Sequence, residues 1–174
     1  MEIRDAQDDD VAAITAIYND AVEHTTAIWN ERVVDADNRR VWLADRRRAG
    51  YPVLVIVDNS TVGNSEVIGY GTFGDWRPFD GYRHTVEHSI YIREDQRGKG
   101  LGKVLMMSLI ERARVAGKHV MVAGIDASNE GSIRLHEKLG FRRVGLLPQV
   151  GTKFGRWLDL AFLQLTLDEN QSPD

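Results

Sequence analysis

The sequence predicts a mixed α/β (α+β) fold, in which helices and strands alternate and the first strands pair mostly antiparallel. Apolar runs bounded by polar turns indicate buried strands, as at residues 53–57 and 119–125. Apolar residues recurring on one face indicate a helix at residues 8–24. The stretch 85–116 reads as strand, glycine turn and helix in succession. Because 174 residues with 43% hydrophobic content suit one core, we expect a single domain over residues 1–174.

The elements follow one another without a linker that would separate two domains. Helices are predicted at residues 8–24, 35–49, 104–116 and 129–139. Strands are predicted at residue 3 and at residues 53–57, 66–74, 84–93, 119–125, 141–147 and 157–167. A polar turn is expected at residues 58–65, a loop between residues 147 and 157, and a disordered polar tail at residues 168–174.

The composition excludes several classes of protein. With a formal net charge of −4, the chain lacks the basic surface that general nucleic-acid binding requires. The absence of cysteine excludes disulfides, thiolate metal sites and a cysteine nucleophile. No stretch approaches the roughly twenty apolar residues of a membrane-spanning helix, and the opening residues do not resemble a signal peptide. We therefore expect a cytoplasmic protein without nucleic-acid or membrane partners.

A glycine-rich loop at residues 97–102, with the sequence R-G-K-G-L-G, separates a predicted strand from a predicted helix. Glycines allow backbone N–H groups to approach an anion, and the helix start adds unpaired N–H groups and the positive end of the dipole. The loop therefore predicts a phosphate site. Neither the G-x-G-x-x-G dinucleotide fingerprint nor the G-x-x-x-x-G-K-[ST] nucleotide loop is present.

This loop and several further segments resemble those of a known family. The spacing R/Q-x-x-G-x-G/A over residues 97–102 resembles the pyrophosphate loop of the GNAT superfamily of acetyl-CoA-dependent N-acetyltransferases. Residues 129–141, N-E-G-S-I-R-L-H-E-K-L-G-F, resemble the family's second helix beside coenzyme A and the strand that follows it. Four segments resemble the bacterial branch that acetylates phosphinothricin, methionine sulfoximine and methionine sulfone: residues 51–53, 74–79, 85–89 and 153–159.

The resemblance implies a GNAT acyl-CoA N-acyltransferase fold with helices on both faces of a mostly antiparallel sheet. It also implies acetyl-CoA as co-substrate and a homodimer. No metal is predicted, because His84 and His88 are too far apart on a strand to share one ion. The residues that the resemblance assigns to the cofactor are Ile90, Tyr91, Ile92, Arg97, Gly98, Lys99, Gly100, Leu101, Gly102, Lys103, Asn129 and Ser132. From the residues alone, Asn129 is a helix N-cap, and both roles are compatible.

Glu87 is predicted to be the catalytic base. Acetyl transfer requires removal of a proton from the amine and a proton for the departing thiolate. On a strand, Glu87 shares one face with Ser89 and Tyr91, whereas Val86 and His88 point to the other. A solvent-facing glutamate is the alternative from the residues alone. The resemblance implies the catalytic role, because GNAT enzymes commonly place a base or a water-activating carboxylate on this strand.

His136 stands where many GNAT enzymes carry a tyrosine that is thought to protonate the coenzyme A thiolate. A histidine with a pKa near 6.5 could supply that proton. The alternative is a histidine packed on a helix face, and the sequence leaves both interpretations open.

Substrate contacts are assigned by the resemblance to two predicted loops and one strand: Trp76, Arg77, Pro78, Phe79, Glu87, His88, Ser89, Lys153 and Phe154. Arg77 offers a planar fork, and Lys153 a point charge, for a carboxylate or a phosphinate-like pair of oxygens. Scattered surface positions are the alternative. His84 and His88 do not predict a metal site, because four strand residues span about 13 Å.

The leading function is direct acetylation of the α-amino group of a toxic methionine- or glutamate-like amino acid. Acetylation of protein N-termini or lysines is a second hypothesis, and it requires an open peptide groove, which the bulky Trp76 and Phe154 disfavour. A non-catalytic acyl-CoA-binding sensor is a third, and the presence of Glu87 disfavours it.

Overall fold

A computed structural model describes residues 1–61 and 64–173. Seven strands are found there: β1 (Glu2–Asp5), β2 (Val53–Thr61), β3 (Asn64–Asp75), β4 (Thr85–Ile92), β5 (Val120–Asp126), β6 (Arg142–Lys153) and β7 (Arg156–Thr166). Four α-helices accompany them: α1 (Val11–His24), α2 (Ala36–Arg48), α3 (Leu101–Val115) and α4 (Glu130–Lys138). The predicted mixed α/β class is confirmed.

The chain forms two compact units. Unit 1 contains Met1–Thr72 and Ser89–Leu109, and unit 2 contains Phe73–His88 and Ile110–Asp174. Along the chain, β3, β4 and α3 each continue from one unit into the other. The single domain over residues 1–174 stays a prediction.

In unit 1, β1 pairs antiparallel with β2, and β2 pairs antiparallel with β3. Helix α1 contributes Val11, Ile14 and Ile17 to the apolar core of this unit, as the helical spacing of these residues predicts. Its α-helical part begins at Val11 rather than at residue 8, because Asp8–Asp10 form a 3-10 turn. Helix α2 is capped by Asp35, whose side chain accepts a hydrogen bond from the helix backbone.

In unit 2, β4 runs parallel to β5, β5 pairs antiparallel with β7, and β7 pairs antiparallel with β6. The register places Glu87 opposite Val122 and Gly124 opposite Phe162. Strand β5 therefore lies between the strand that carries Glu87 and the strand that carries Phe162. Alternation along β4 agrees with the prediction, since Val86 is buried and Glu87 is half-buried.

The polar turn predicted over residues 58–65 is wrong for most of its length. Strand β2 continues to Thr61 and β3 begins at Asn64, with Asp58 opposite Glu66. Residues 62–63 of the predicted turn lie outside the described part of the chain. Polar side chains did not end the strands because an antiparallel pair can face water, and its ladder is made by the backbone.

The loop predicted between residues 147 and 157 is also wrong. Strand β6 continues to Lys153, and its pairing with β7 shifts register between Leu147 and Gly151. Gln149, in this irregular stretch, has a φ of 56°. A bulge interrupts the alternation of side chains without ending the strand, so its sequence looks like that of a loop.

Among the described helices, none is both long enough and apolar enough to cross a bilayer.

In the basic last turn of α2, Arg47 donates to the Asp8 carboxylate at 2.6 Å and to the Ala6 carbonyl at 2.7 Å. The cytoplasmic location and the absence of membrane and nucleic-acid partners stay predictions.

Candidate active site

The glycine loop of unit 1 leads directly into α3. Gly98 and Gly100 have φ values of 78° and 79°, in the left-handed region that favours glycine. The N–H groups of Lys103 and Val104 donate to the Gly100 carbonyl at 3.1 and 3.4 Å, which forms the first turn of α3. The first N–H groups of a helix have no partner within it, and the helix dipole adds partial positive charge there. This arrangement suits an anion.

The cationic side chains of this loop contact neighbouring protein groups. Arg97 donates from Nε to the Ile92 carbonyl at 3.0 Å, and its Nη2 lies 3.4 Å from the Asp20 carboxylate. Lys99 donates from Nζ to the Gln96 side chain at 2.8 Å. Leu101, the first residue of α3, is buried. In this conformation the loop therefore offers a phosphate mainly its backbone N–H groups.

The unit 1 part of β4 is closely packed against β3. The Tyr91 ring lies 5.2 Å from the Tyr70 ring, centroid to centroid. A Cβ atom at Gly69 would lie 2.7 Å from Ile92 Cδ1, and one at Gly71 would lie 3.0 Å from Ile90 Cγ2. The side chains of Ile90, Tyr91 and Ile92 are therefore packed against β3. Any contact of these residues with a cofactor, as predicted, would use the strand backbone.

The predicted capping role of Asn129 is confirmed. Its side chain accepts a hydrogen bond from the backbone N–H of Ser132 at 3.1 Å, at the start of α4 in unit 2. The contacts of Asn129 and Ser132 with a cofactor stay predictions.

His136 and His88 form a buried pair in unit 2. Their Nε2 atoms are 2.9 Å apart, and the two rings are nearly parallel. His136 Nδ1 lies 2.7 Å from the Ser132 carbonyl, which can only accept, so Nδ1 carries the proton. Neutral His136 then accepts at Nε2 from the N–H of His88. Burial lowers the pKa of both histidines, and the proximity of His136 lowers the pKa of His88 further, which keeps both neutral.

These contacts favour the packed-histidine interpretation of His136. Its one ring proton is held by the Ser132 carbonyl, so no proton of this side chain is directed at a departing thiolate. His88 lies on the buried face of β4, opposite to the face of Glu87, and the Phe141 ring packs edge-on against both histidines. The pair therefore connects β4 to α4.

The half-buried carboxylate of Glu87 lies within a group of residues that we call the Glu87 cluster: Trp76, Arg77, Glu87, Gly124 and Phe162. Burial raises the pKa of Glu87, and the Arg77 guanidinium partly opposes this. Arg77 Cζ lies 4.9 Å from the centroid of the Trp76 ring, and the Phe162 ring meets Trp76 edge-on at 6.4 Å. The cluster combines a proton acceptor, a cation and an aromatic wall, which suits a small amine that also carries acidic oxygens.

The segment after Trp76 supports this wall. Tyr82 donates its backbone N–H to the Phe79 carbonyl at 2.9 Å, and its ring packs edge-on against Trp76 at 5.3 Å. Pro78 and Phe79 are exposed, so any substrate contact that they make would lie at the surface of unit 2.

Lys153 is not on a loop, contrary to the prediction, because it ends the extended strand β6. It is fully buried, and its Nζ lies 4.9 Å from the centroid of the Phe154 ring. Phe154 and Gly155, with φ values of 52° and 71°, form the two-residue turn between β6 and β7. The half-exposed Phe154 ring is thus held by a hairpin rather than by a mobile loop.

Sequence reasoning missed two residues of the Glu87 cluster. A glycine inside an apolar strand is a signal of close approach, and it could have identified Gly124. Phe162 gave no signal, because an aromatic residue in a strand is typical of a core. Among residues 1–61 and 64–173, no three His, Asp or Glu side chains are grouped closely enough to hold a metal ion.

The fold is that of an acyl-CoA-dependent N-acetyltransferase. Residues 14–141 match the acetyltransferase (GNAT) family, and the chain belongs to that family. It is 58% identical over 174 residues to the L-amino acid N-acyltransferase MnaT of Escherichia coli (strain K12). That match covers 100% of this chain and 98% of the relative. It is 59% identical over 170 residues to the L-methionine sulfoximine/L-methionine sulfone acetyltransferase of Pseudomonas aeruginosa, covering 98% and 96% of the two chains.

A solved structure agrees with these relatives. The GNAT superfamily phosphinothricin acetyltransferase (Pat) from Sinorhizobium meliloti, in complex with AcCoA, matches with a TM-score of 0.93 and 36% identity. The match covers 99% of this chain and 91% of that one. The predicted family, its fold and the enzyme class of N-acetyltransferase are confirmed.

Proposed function

We propose that this protein transfers the acetyl group of acetyl-CoA to the α-amino group of a methionine- or glutamate-like amino acid with a tetrahedral sulfur or phosphorus centre. Methionine sulfoximine, methionine sulfone and phosphinothricin are the substrates of this kind. The Glu87 cluster carries the proposal, because it pairs a carboxylate of raised pKa with a nearby guanidinium. The relatives named for these substrates support it, since they match nearly the whole chain.

The proposed reaction is a direct attack of the amine nitrogen on the thioester carbonyl carbon. The C–N bond forms, the C–S bond breaks, and the electron pair leaves with the sulfur. Glu87 takes one proton from the ammonium group before the attack, directly or through one water molecule, and its raised pKa brings it nearer to neutral pH. The second proton leaves the nitrogen after the C–N bond has formed and passes to solvent. The thiolate, with a pKa of about 8.5 by analogy with cysteine, is a fair leaving group and takes a proton from solvent. No acyl-enzyme is formed.

Acetyl-CoA supplies the activated acetyl group when it is bound. The backbone N–H groups at the start of α3 would hold its pyrophosphate, since both loop glycines already have the conformation that exposes such groups. Asn129 would contact its pantetheine arm, and Ser132 would also bind the cofactor, as the family resemblance implies.

Arg77 is expected to recognise the tetrahedral centre of the substrate. Replacing Arg77 by alanine should lower the ratio of kcat/KM for methionine sulfoximine to kcat/KM for methionine by about tenfold or more, because the sulfoximine loses a charge-assisted hydrogen bond that methionine cannot form. The lysine variant should restore part of the preference. The measurement is thiol release at alkaline pH, where loss of Arg77 does not limit Glu87 ionisation. An equal loss for both substrates would assign Arg77 to the shared carboxylate instead.

A panel of acceptors tests the proposed reaction as a whole. Thiol release from acetyl-CoA should be much faster with methionine sulfoximine, methionine sulfone or phosphinothricin than with methionine, a lysine peptide or a peptide with a free N-terminus. Equal rates with the peptides would favour protein acetylation. Binding of acetyl-CoA without thiol release for any acceptor would favour the sensor.

We also propose that two copies associate through β6. This edge strand pairs with β7 on one side, and its exposed apolar residues include Val144, Leu146 and Val150. Leu146→Lys should therefore convert a dimer into a monomer in sedimentation velocity. Val115→Lys, which adds the same charge at an exposed apolar residue of α3, should leave the dimer intact. A monomeric wild-type protein would contradict the proposal.

A further inference from the structure

Gly124 occupies an unusual place for a glycine. It is the only glycine of β5, and β5 lies between β4 and β7 in unit 2. Its neighbours Ala123 and Ile125 are buried, whereas Gly124 is exposed. Glycine in the interior of a strand lowers stability, so its presence there indicates a requirement for space.

The backbone conformation does not require glycine at this position. The φ of Gly124 lies outside the left-handed region, so an alanine could adopt the same conformation. The space around the residue is limited instead. A Cβ atom built on Gly124 would lie 3.0 Å from Glu87 Oε1, 3.6 Å from Leu160 Cδ1 and 3.7 Å from Phe162 Cε1.

The added Cβ atom would be tolerated by its two apolar neighbours but would lie too close to the carboxylate. The contacts with Leu160 and Phe162 would be ordinary van der Waals contacts of about 3.5–4.0 Å. The contact with Glu87 would be shorter than the roughly 3.3 Å at which C–H···O contacts begin. The side chain that uses the space left by Gly124 is therefore the carboxylate of Glu87.

We infer that Gly124 is a positioning residue for Glu87, because its missing side chain provides the place where the carboxylate rests against β5 and remains open to water. This inference rests on the proposed role of Glu87 as the base. The exposed strand surface at Gly124 is also where a relay water could reach the carboxylate.

A methyl group at this position would act on Glu87 in one of two ways. It would displace the carboxylate by a few tenths of an ångström. Since a misplacement of about 1 Å can cost about a hundredfold in rate, this smaller shift should cost about tenfold. If the carboxylate stayed in place, the methyl group would remove its water and disfavour the charged form, which would move the acid limb of the pH profile to higher pH. Both effects lower kcat at neutral pH and leave the acetyl-CoA loop unchanged.

The test is a double-mutant cycle of Gly124→Ala and Glu87→Asp, assayed with methionine sulfoximine. Aspartate is shorter by one methylene, about 1.5 Å, and so withdraws the carboxylate from the added methyl group. Gly124→Ala should lower kcat at neutral pH by about tenfold in the wild-type background, either at all pH values or through an acid limb at higher pH. In the Glu87→Asp background the same substitution should change kcat by less than about threefold, because the two sites are coupled. The Kd of acetyl-CoA should stay the same in all four proteins.

Gly145→Ala provides the matched control. It adds a methyl group to a glycine of β6 that meets no atom within 4 Å, on the opposite face of the strand from Leu146. It should leave kcat, the pH profile and the oligomeric state unchanged. An equal loss of kcat on Gly124→Ala in both backgrounds, or an unchanged kcat and pH profile, would overturn the inference. The proposed role of Glu87 as the base is tested separately, by Glu87→Gln in the protein that retains Gly124. Failure of the inference and failure of the proposed function are therefore distinguishable.

Discussion

Replacing Glu87 by glutamine should lower kcat about a hundredfold while sparing the affinity for acetyl-CoA, because glutamine keeps the shape of the side chain and cannot accept the proton. Burial raises the pKa of Glu87, so the wild-type base is lost as the pH falls through that raised value. The variant should lack this acid limb. Its deficit should shrink as the pH rises, since the substrate amine then loses its proton to solvent. Thiol release between acidic and alkaline pH, together with calorimetric titration of acetyl-CoA, measures both effects.

A matched substitution separates this effect from a general loss of negative charge. Glu111→Gln removes a carboxylate from an exposed position of α3 and should keep wild-type kcat and pH dependence. If the Glu87→Gln profile were identical to that of the wild type, Glu87 would have no part in proton transfer.

Replacing Gly100 by valine should raise the Kd of acetyl-CoA by about ten- to hundredfold, which corresponds to the loss of one hydrogen bond to a charged group. The added side chain would extend from a backbone held at a φ of 79°, next to the first turn of α3. It would keep the pyrophosphate away from the N–H groups of the helix start. Fluorescence or calorimetric titration of acetyl-CoA measures the change.

Gly50 offers a close control for this variant. It lies in the same unit after α2, has a φ of 75°, and an added Cβ would meet no atom within 4 Å, as at Gly100. Valine is strained to a similar degree at both positions, by about 1–2 kcal/mol. Both variants should therefore lower the melting temperature by a similar amount, but only Gly100→Val should weaken acetyl-CoA binding. Equal affinities in the two folded variants would remove the phosphate assignment from the loop.

The fold was predictable wherever short-range patterns set the local structure. The apolar face of α1 and the buried run at the start of β2 require a core on one side, so helix and strand followed from spacing alone. The errors fell at residues 58–61 and 64–65 and in β6. There the strands continue through polar side chains and through a bulge, because their backbone groups pair with a neighbouring strand. The sequence of one strand does not show which strand it pairs with.

In the candidate site too, features set by neighbouring residues in the chain were predictable, and features set by distant residues were not. The glycine turn that leads into α3 was predictable, because glycine spacing and the following helix are local features. The position of the ring proton of His136 was not predictable. The Ser132 carbonyl and the His88 ring, which determine it, come together only when α4 packs on β4. The burial of Lys153 likewise depends on the extension of β6.

The sequence by itself determined the mixed α/β class and the family, and it selected the glycine loop as the candidate phosphate site and Glu87 as the candidate base, since each is carried by residues close together in the chain. Only the tertiary structure decided what surrounds that base. Gly124 and Phe162 join the Glu87 cluster from β5 and β7, and the raised pKa of Glu87 comes from burial by that packing. Electrostatics and sterics act through space, so a group's chemistry depends on neighbours that lie far away in the sequence.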